Sequence, residues 1–187
     1  MKRLLFVVLA LVLIVKVGAE EHLVIKGVPI NGTLKEFTEK LIAKGCEEHF
    51  VNDKDITVKG DFAGYKNCRI KACAPANSDM VNTVEVLFPR QNTWEELYKN
   101  YITIKDMLED KYGAPSSMRE KFELSYTPGN DAARLQAVLN HRCKYMTVFE
   151  TKLGKIVVSI HPKSYVVLEY TDYTNHEESR AAAMDDL

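Results

Sequence analysis

The chain lacks a basic surplus, a second long hydrophobic run, and the short motifs that commonly mark catalytic or metal centres. Its 25 lysines and arginines stand against 26 aspartates and glutamates, with no basic run and no interleaving of basic and aromatic residues. Nucleic-acid affinity depends on neutralised phosphates, so that class of partner is not expected. The five histidines, His22, His49, His141, His161 and His176, occur singly, with no H-x-H or HExxH spacing. Near His176, Arg180 stands where a zinc peptidase would need its second histidine. Asp53, Asp55 and Thr57 start like a calcium loop, but Val58 occupies the position where the sharp turn needs glycine. Residues 60–64 have no Lys-Ser/Thr and so make a hairpin rather than a phosphate loop, and no G-x-S-x-G elbow is present. No catalytic residue, cofactor site or metal ligand set is therefore expected.

Cysteine is sparse too. The four residues Cys46, Cys68, Cys73 and Cys143 contain no Cys-x-x-Cys pair. In an exported chain they would allow three disulfide pairings. A bond from Cys68 to Cys73 along one straight strand would span about 16 Å, beyond disulfide reach. Cys46 with Cys68 is the preferred pairing, leaving Cys143 free or buried; four reduced core thiols are the alternative.

The first residues supply the clearest positive signal. Lys2 and Arg3 precede 12 apolar residues at 4–15, and Lys16 then leads into Val17, Gly18 and Ala19. Twelve residues rise only about 18 Å as a helix, against a hydrocarbon core of roughly 30 Å. The layout is that of a secretory signal peptide over residues 1–19, with a mature chain from about Glu20. The first cysteine, Cys46, lies too far on for lipid attachment next to the apolar run. A soluble periplasmic or secreted protein without a membrane anchor is expected. Cleavage would leave 22 basic against 26 acidic groups, a mildly acidic protein.

Beyond the leader, two capping boxes stand out, Thr33 with Glu36 and Thr93 with Glu96. The first opens a helix with Leu34, Phe37 and Leu41 on one face. The second opens a longer one, in which Trp94, Leu97, Tyr98, Tyr101, Ile104, Leu108 and Tyr112 keep the helical period until Gly113 and Pro115. Between them the period changes to alternation: Ile56, Val58, Gly60 and Phe62 share a face, and strands follow over 65–73 and 81–89. The second half predicts a strand over 122–126, a helix over 132–142, strands over 145–151, 155–161 and 165–171, and a polar closing helix from about Asn175. The fold class expected is α+β, an antiparallel sheet with helices on one face. Thr57 and Val58 precede Gly64 as Thr147 and Val148 precede Gly154, so two pseudo-repeated units of helix, three strands and helix are expected, over 20–117 and 118–187.

Nine tyrosines remain to be placed. Tyr65, Tyr126, Tyr165, Tyr170 and Tyr173 fall on strands or strand ends, and a sheet covered on one side leaves its other face open to water. Such a face bearing aromatics is a candidate binding surface for a protein or a glycan.

The segment Ile25-Lys26-Gly27-Val28-Pro29-Ile30-Asn31-Gly32-Thr33, with Gly60-Asp61-Phe62-Ala63-Gly64-Tyr65, Lys111-Tyr112-Gly113-Ala114-Pro115 and Val167-Leu168-Glu169-Tyr170-Thr171-Asp172, resembles exported proteins of Bacteroides-type bacteria. These motifs imply a fold, not a chemistry. The tandem helix-and-sheet order also resembles β-lactamase-inhibitor-like periplasmic domains, which implies protein binding by analogy of fold. The function expected is a non-catalytic exported binding or envelope-associated protein. The alternatives are a hydrolase-type enzyme with a cleft between the units, using His141, His161 or Cys143, and a structural domain with no small ligand.

Overall fold

Thr33 starts the first helix by accepting a hydrogen bond from the Glu36 backbone N–H at 3.3 Å, while the Glu36 carboxylate accepts from the Thr33 N–H at 2.9 Å. That reciprocal cap fixes the start of α1, Leu34–Ala43, whose Leu34, Phe37 and Leu41 are buried. The computed structural model describes residues 22–76, 78–123 and 128–184. Residues 1–19, the expected signal peptide, therefore lie outside the described residues, as does Tyr126.

A short hairpin, β1 (Val24–Ile25) with β2 (Val28–Pro29), precedes α1. The chain then runs through β3 (Glu47–Val51), β4 (Asp55–Phe62), β5 (Tyr65–Cys73) and β6 (Thr83–Leu87) into the long helix α2, Trp94–Tyr112. After it come β7 (Ser117–Phe122), α3 (Asp131–Leu139), β8 (Cys143–Glu150), β9 (Gly154–His161), β10 (Tyr165–Asp172) and α4 (Tyr173–Met184). Eight strands form one antiparallel sheet in the order β3-β4-β5-β6-β10-β9-β8-β7.

Alternation decides which side of this sheet is inside. Val58, Ile70, Val86, Leu168 and Val158 are cross-strand neighbours on the inner face, as are Ala72, Val84, Tyr170 and Ile156. All nine are buried. α1 packs against β4 and β5, and α2 packs against β8, β9 and β10. Trp94, Leu97, Tyr101, Ile104 and Leu108 of α2 join the same buried cluster as Phe37 and Leu41 of α1. α3 packs beside α2. The α+β class and the large antiparallel sheet are as expected.

Three elements differ from the expectation. Of the strand expected over 122–126, residues 124–126 lie outside the described residues; the strand observed there is Ser117–Phe122, which pairs with β8 from Ser117↔Val148 to Phe122↔Cys143. Its sequence, SMREKF, carries three charged residues and one fully apolar ring, so no alternation announces it. β3 has all five residues exposed and a register shift between Glu48 and Phe50, as an edge strand tolerates. α3 ends at Leu139, three residues before the expected end, because the His141 and Arg142 N–H groups bond back to Val138 and Ala137 and turn the chain into β8.

The N-terminal hairpin is fastened to the far end of the sheet. Asp172, fully buried, accepts from the Leu23 N–H at 2.8 Å and lies 3.1 Å from His22 Nδ1. Leu23 packs where Gly154 has no side chain: a Cβ there would lie 2.6 Å from Leu23 Cδ1 and 2.2 Å from the Thr171 carbonyl oxygen. Asn175 completes the fastening by donating both amide protons, to Ile30 O at 2.8 Å and Val81 O at 2.7 Å.

Candidate functional site

The outer face of the sheet is built from the residues that alternate with the core. Reading across the strands, one row runs Lys59, Arg69, Leu87, Val167, Ser159, Met146 and Arg119. The next runs Thr57, Lys71, Glu85, Glu169, Val157, Val148 and Ser117. Leu87, Val167, Val157, Val148 and Met146 thus form one aliphatic patch across β6, β10, β9 and β8. Each is half-buried rather than covered. Arg69, Lys71 and Lys59 flank the patch on the β4 and β5 side, where Lys71 pairs with Asp55 at 3.8 Å.

Two features of this face are unusual for a merely solvated surface. Glu85 and Glu169 are direct cross-strand partners in the middle of the sheet. Like charges so placed repel, and Lys71, opposite Glu85 on its other side, offsets part of that repulsion. At one end of the face the His161 and Tyr165 rings stack at 4.5 Å with planes 4° apart. His161 Nδ1 accepts the Lys163 N–H at 3.1 Å. Burial holds the His161 pKa below the ordinary histidine value, with the charges of Lys163 and His141 acting the same way. Burial raises the Tyr165 pKa in turn.

The expected tyrosines among the described residues do not gather on this face. Tyr165 is on it, though only 6% exposed. Tyr170 points the other way, into the core, at 4%. Tyr65 packs edge-on against Phe88 at 5.0 Å, with its hydroxyl donating to Asn100 Oδ1 on α2 at 3.3 Å. Tyr173 opens α4 and donates to the Glu150 carboxylate. The aliphatic patch was missed because register, not composition, assembles it from four strands.

Nor does the nucleophile candidate Cys143 meet the base candidate His161. Cys143 lies on the helical side of β8 with Tyr145 and Thr147, whereas His161 lies on the outer face with Ser159 and Val157, so the sheet separates them. Burial pushes the Cys143, Cys68 and Cys73 thiols up to about 11 and raises Cys46 as well, which suppresses the reactive thiolate. All four cysteines are free, so the expected Cys46 to Cys68 bond is not made in this structure. The two nevertheless adjoin Gly60: it pairs with Cys68, and a Cβ on it would lie 2.8 Å from Cys46 Sγ. Among the described residues no three His, Cys, Asp or Glu side chains converge to hold a metal ion. A cleft of about 360 Å³ beside the β4–β5 hairpin mixes Lys26, Lys44 and Lys59 with Glu47 and Asp61, so it carries charges of both signs.

Comparison with known proteins gives no matching family model, no matching curated protein and no matching solved structure.

Proposed function

We propose that this is an exported, non-catalytic binding protein that recognises another protein through the outer face of its sheet. The observation that carries the reading is the contiguous aliphatic patch Leu87, Val167, Val157, Val148 and Met146, left accessible beside the opposed Glu85 and Glu169. Half-buried aliphatic groups next to the Glu85 and Glu169 carboxylates fit a partner surface that offers an apolar side chain and a lysine or arginine. A glycan is the poorer fit, because sugars stack on exposed aromatic rings and Tyr165 is covered. The strand order supports a tandem origin: a two-fold axis normal to the sheet between β6 and β10 would exchange β3 to β6 with β7 to β10. α3, inserted between β7 and β8, has no counterpart between β3 and β4.

The test places a photo-crosslinking residue at Val167, at Met146 or, as control, at the exposed Glu95, and exposes each protein to the exported fraction of its source cell. Adducts with one protein at Val167 and Met146, absent at Glu95 and lost with Leu87→Asp, would support the reading. Equal labelling at all three positions would sink it. Export itself rests on the leader pattern of residues 1–19. N-terminal sequencing of the exported protein should begin near Glu20, and an intact Met1 would overturn that step.

A further inference from the structure

On the opposite side of the sheet, a cavity of about 170 Å³ lies between the C-terminal half of α2 and the β4–β5 turn. Phe62, Ile104, Leu108 and Leu168 supply its apolar walls, Tyr170 lines it from β10, and Lys111 stands at its edge. It is a partly open groove, so a ligand can reach its apolar wall from solvent. A space of about 150 Å³ admits a benzene-sized molecule. This one has an additional polar feature.

Tyr170 is 4% exposed, burial raises its hydroxyl's pKa, and that hydroxyl has no hydrogen-bond partner among the described residues. Among the described residues no fully buried polar side-chain atom is left unsatisfied, so this hydroxyl keeps some access, and the groove that Tyr170 lines leaves room for an acceptor. A hydrogen bond made in so apolar a setting is stronger than one made in open water. Lys111 is the second polar group at this groove, and its ammonium lies 4.8 Å from the ring centroid of the neighbouring Tyr112.

We infer that this cavity binds a small carboxylate with a compact apolar body, of about benzene's size. The body fills the groove against Phe62, Ile104, Leu108 and Leu168. The carboxylate accepts the Tyr170 proton and faces the Lys111 charge. Nothing in this inference depends on the outer face, and either can fail alone.

The experiment titrates the isotopically labelled full chain with benzoate, with toluene as the body without the charge, and with acetate as the charge without the body. Benzoate and toluene should shift the amide signals of Phe62, Leu108, Leu168 and Tyr170, and acetate should not. Tyr170→Phe keeps the volume and removes the donor, so benzoate should bind about fivefold more weakly while toluene is unaffected. Lys111→Gln should likewise weaken benzoate alone. Leu168→Phe, or Ile104→Phe if the first does not fold, should abolish both by filling the space. Shifts confined to other residues, toluene binding without benzoate binding, or undiminished benzoate affinity in Tyr170→Phe would each overturn the inference.

Discussion

Tyr101 shows how much a single buried hydroxyl organises. Its side chain is fully buried on α2, 2.7 Å from Thr147 Oγ1 on β8, and it donates to Glu120 Oε1 on β7 at 3.0 Å. Lys105 closes the group with a 2.8 Å contact to the same carboxylate oxygen. The hydroxyl's pKa is raised chiefly by burial, so it remains a proton donor throughout the stable range. Tyr101→Phe strands the buried Thr147 hydroxyl and weakens the seating of Glu120, and should cost about 1–3 kcal/mol in chemical denaturation. Adding Thr147→Val removes the orphan. The double variant should therefore be more stable than the sum of the two single losses predicts, and strict additivity would refute the coupling.

His161 yields a prediction in pH at the same scale. Its folded pKa is depressed by burial first and then by Lys163 and His141, so between that value and about 6.5 the unfolded chain binds more protons than the folded one. Stability from this residue is fully present above about 6.5 and is lost as pH falls through the depressed folded value. Protonation of Nδ1 would also break the bond accepted from the Lys163 N–H. Melting temperature should fall on acidification below about 6.5, and His161→Gln should flatten that part of the curve while leaving the carboxylate-dependent loss at lower pH.

At the scale of elements, the start of α2 depends on a residue far away in sequence. Thr93 accepts the Glu96 N–H at 3.2 Å, but the Trp94 and Glu95 N–H groups donate to the Asp131 carboxylate, at 3.1 and 2.8 Å. Asp131 begins α3, so one side chain caps the second helix from the start of the third. Asp131→Ala leaves two backbone donors to water and removes negative charge from the helix's positive end, a loss of about 1–2 kcal/mol by thermal denaturation. An unchanged melting temperature would show that Thr93 suffices. Gly154→Ala should be more damaging, because its Cβ would meet the Thr171 backbone oxygen at 2.2 Å, and a loss above about 3 kcal/mol is expected. The Thr33 and Thr93 caps were legible in the sequence because capping is local, and the inner faces of β4 and β5 because alternation is local too. Asp131 was illegible since its contact spans 36 residues. β3 and β7 were illegible because edge strands in charged sequence bury too little to leave a pattern. The outer-face patch was invisible for a third reason, that it exists only once β6, β10, β9 and β8 are in register.

For the whole molecule, the decisive fact is which helix covers which strands. α2 stands before residue 118, yet it lies over β8, β9 and β10, and β6 of the first half pairs with β10 of the second. Leu168, Val158, Ile156 and Phe149 therefore share one buried cluster with Leu97, Tyr101 and Ile104. A piece comprising 118–187 would expose that inner face and leave the edge of β10 unpaired, losing its apolar cover while keeping its own strand entropy cost. It should be unfolded alone, with poorly dispersed amide signals, whereas 20–117 and 118–187 mixed together should recover the dispersion of the intact chain. Independent folding of the second piece would mean that β7 to β10 need no roof from α2, and the single-core description would have to be abandoned. Recovery only on mixing would place the cooperative boundary of this protein around the entire eight-stranded sheet.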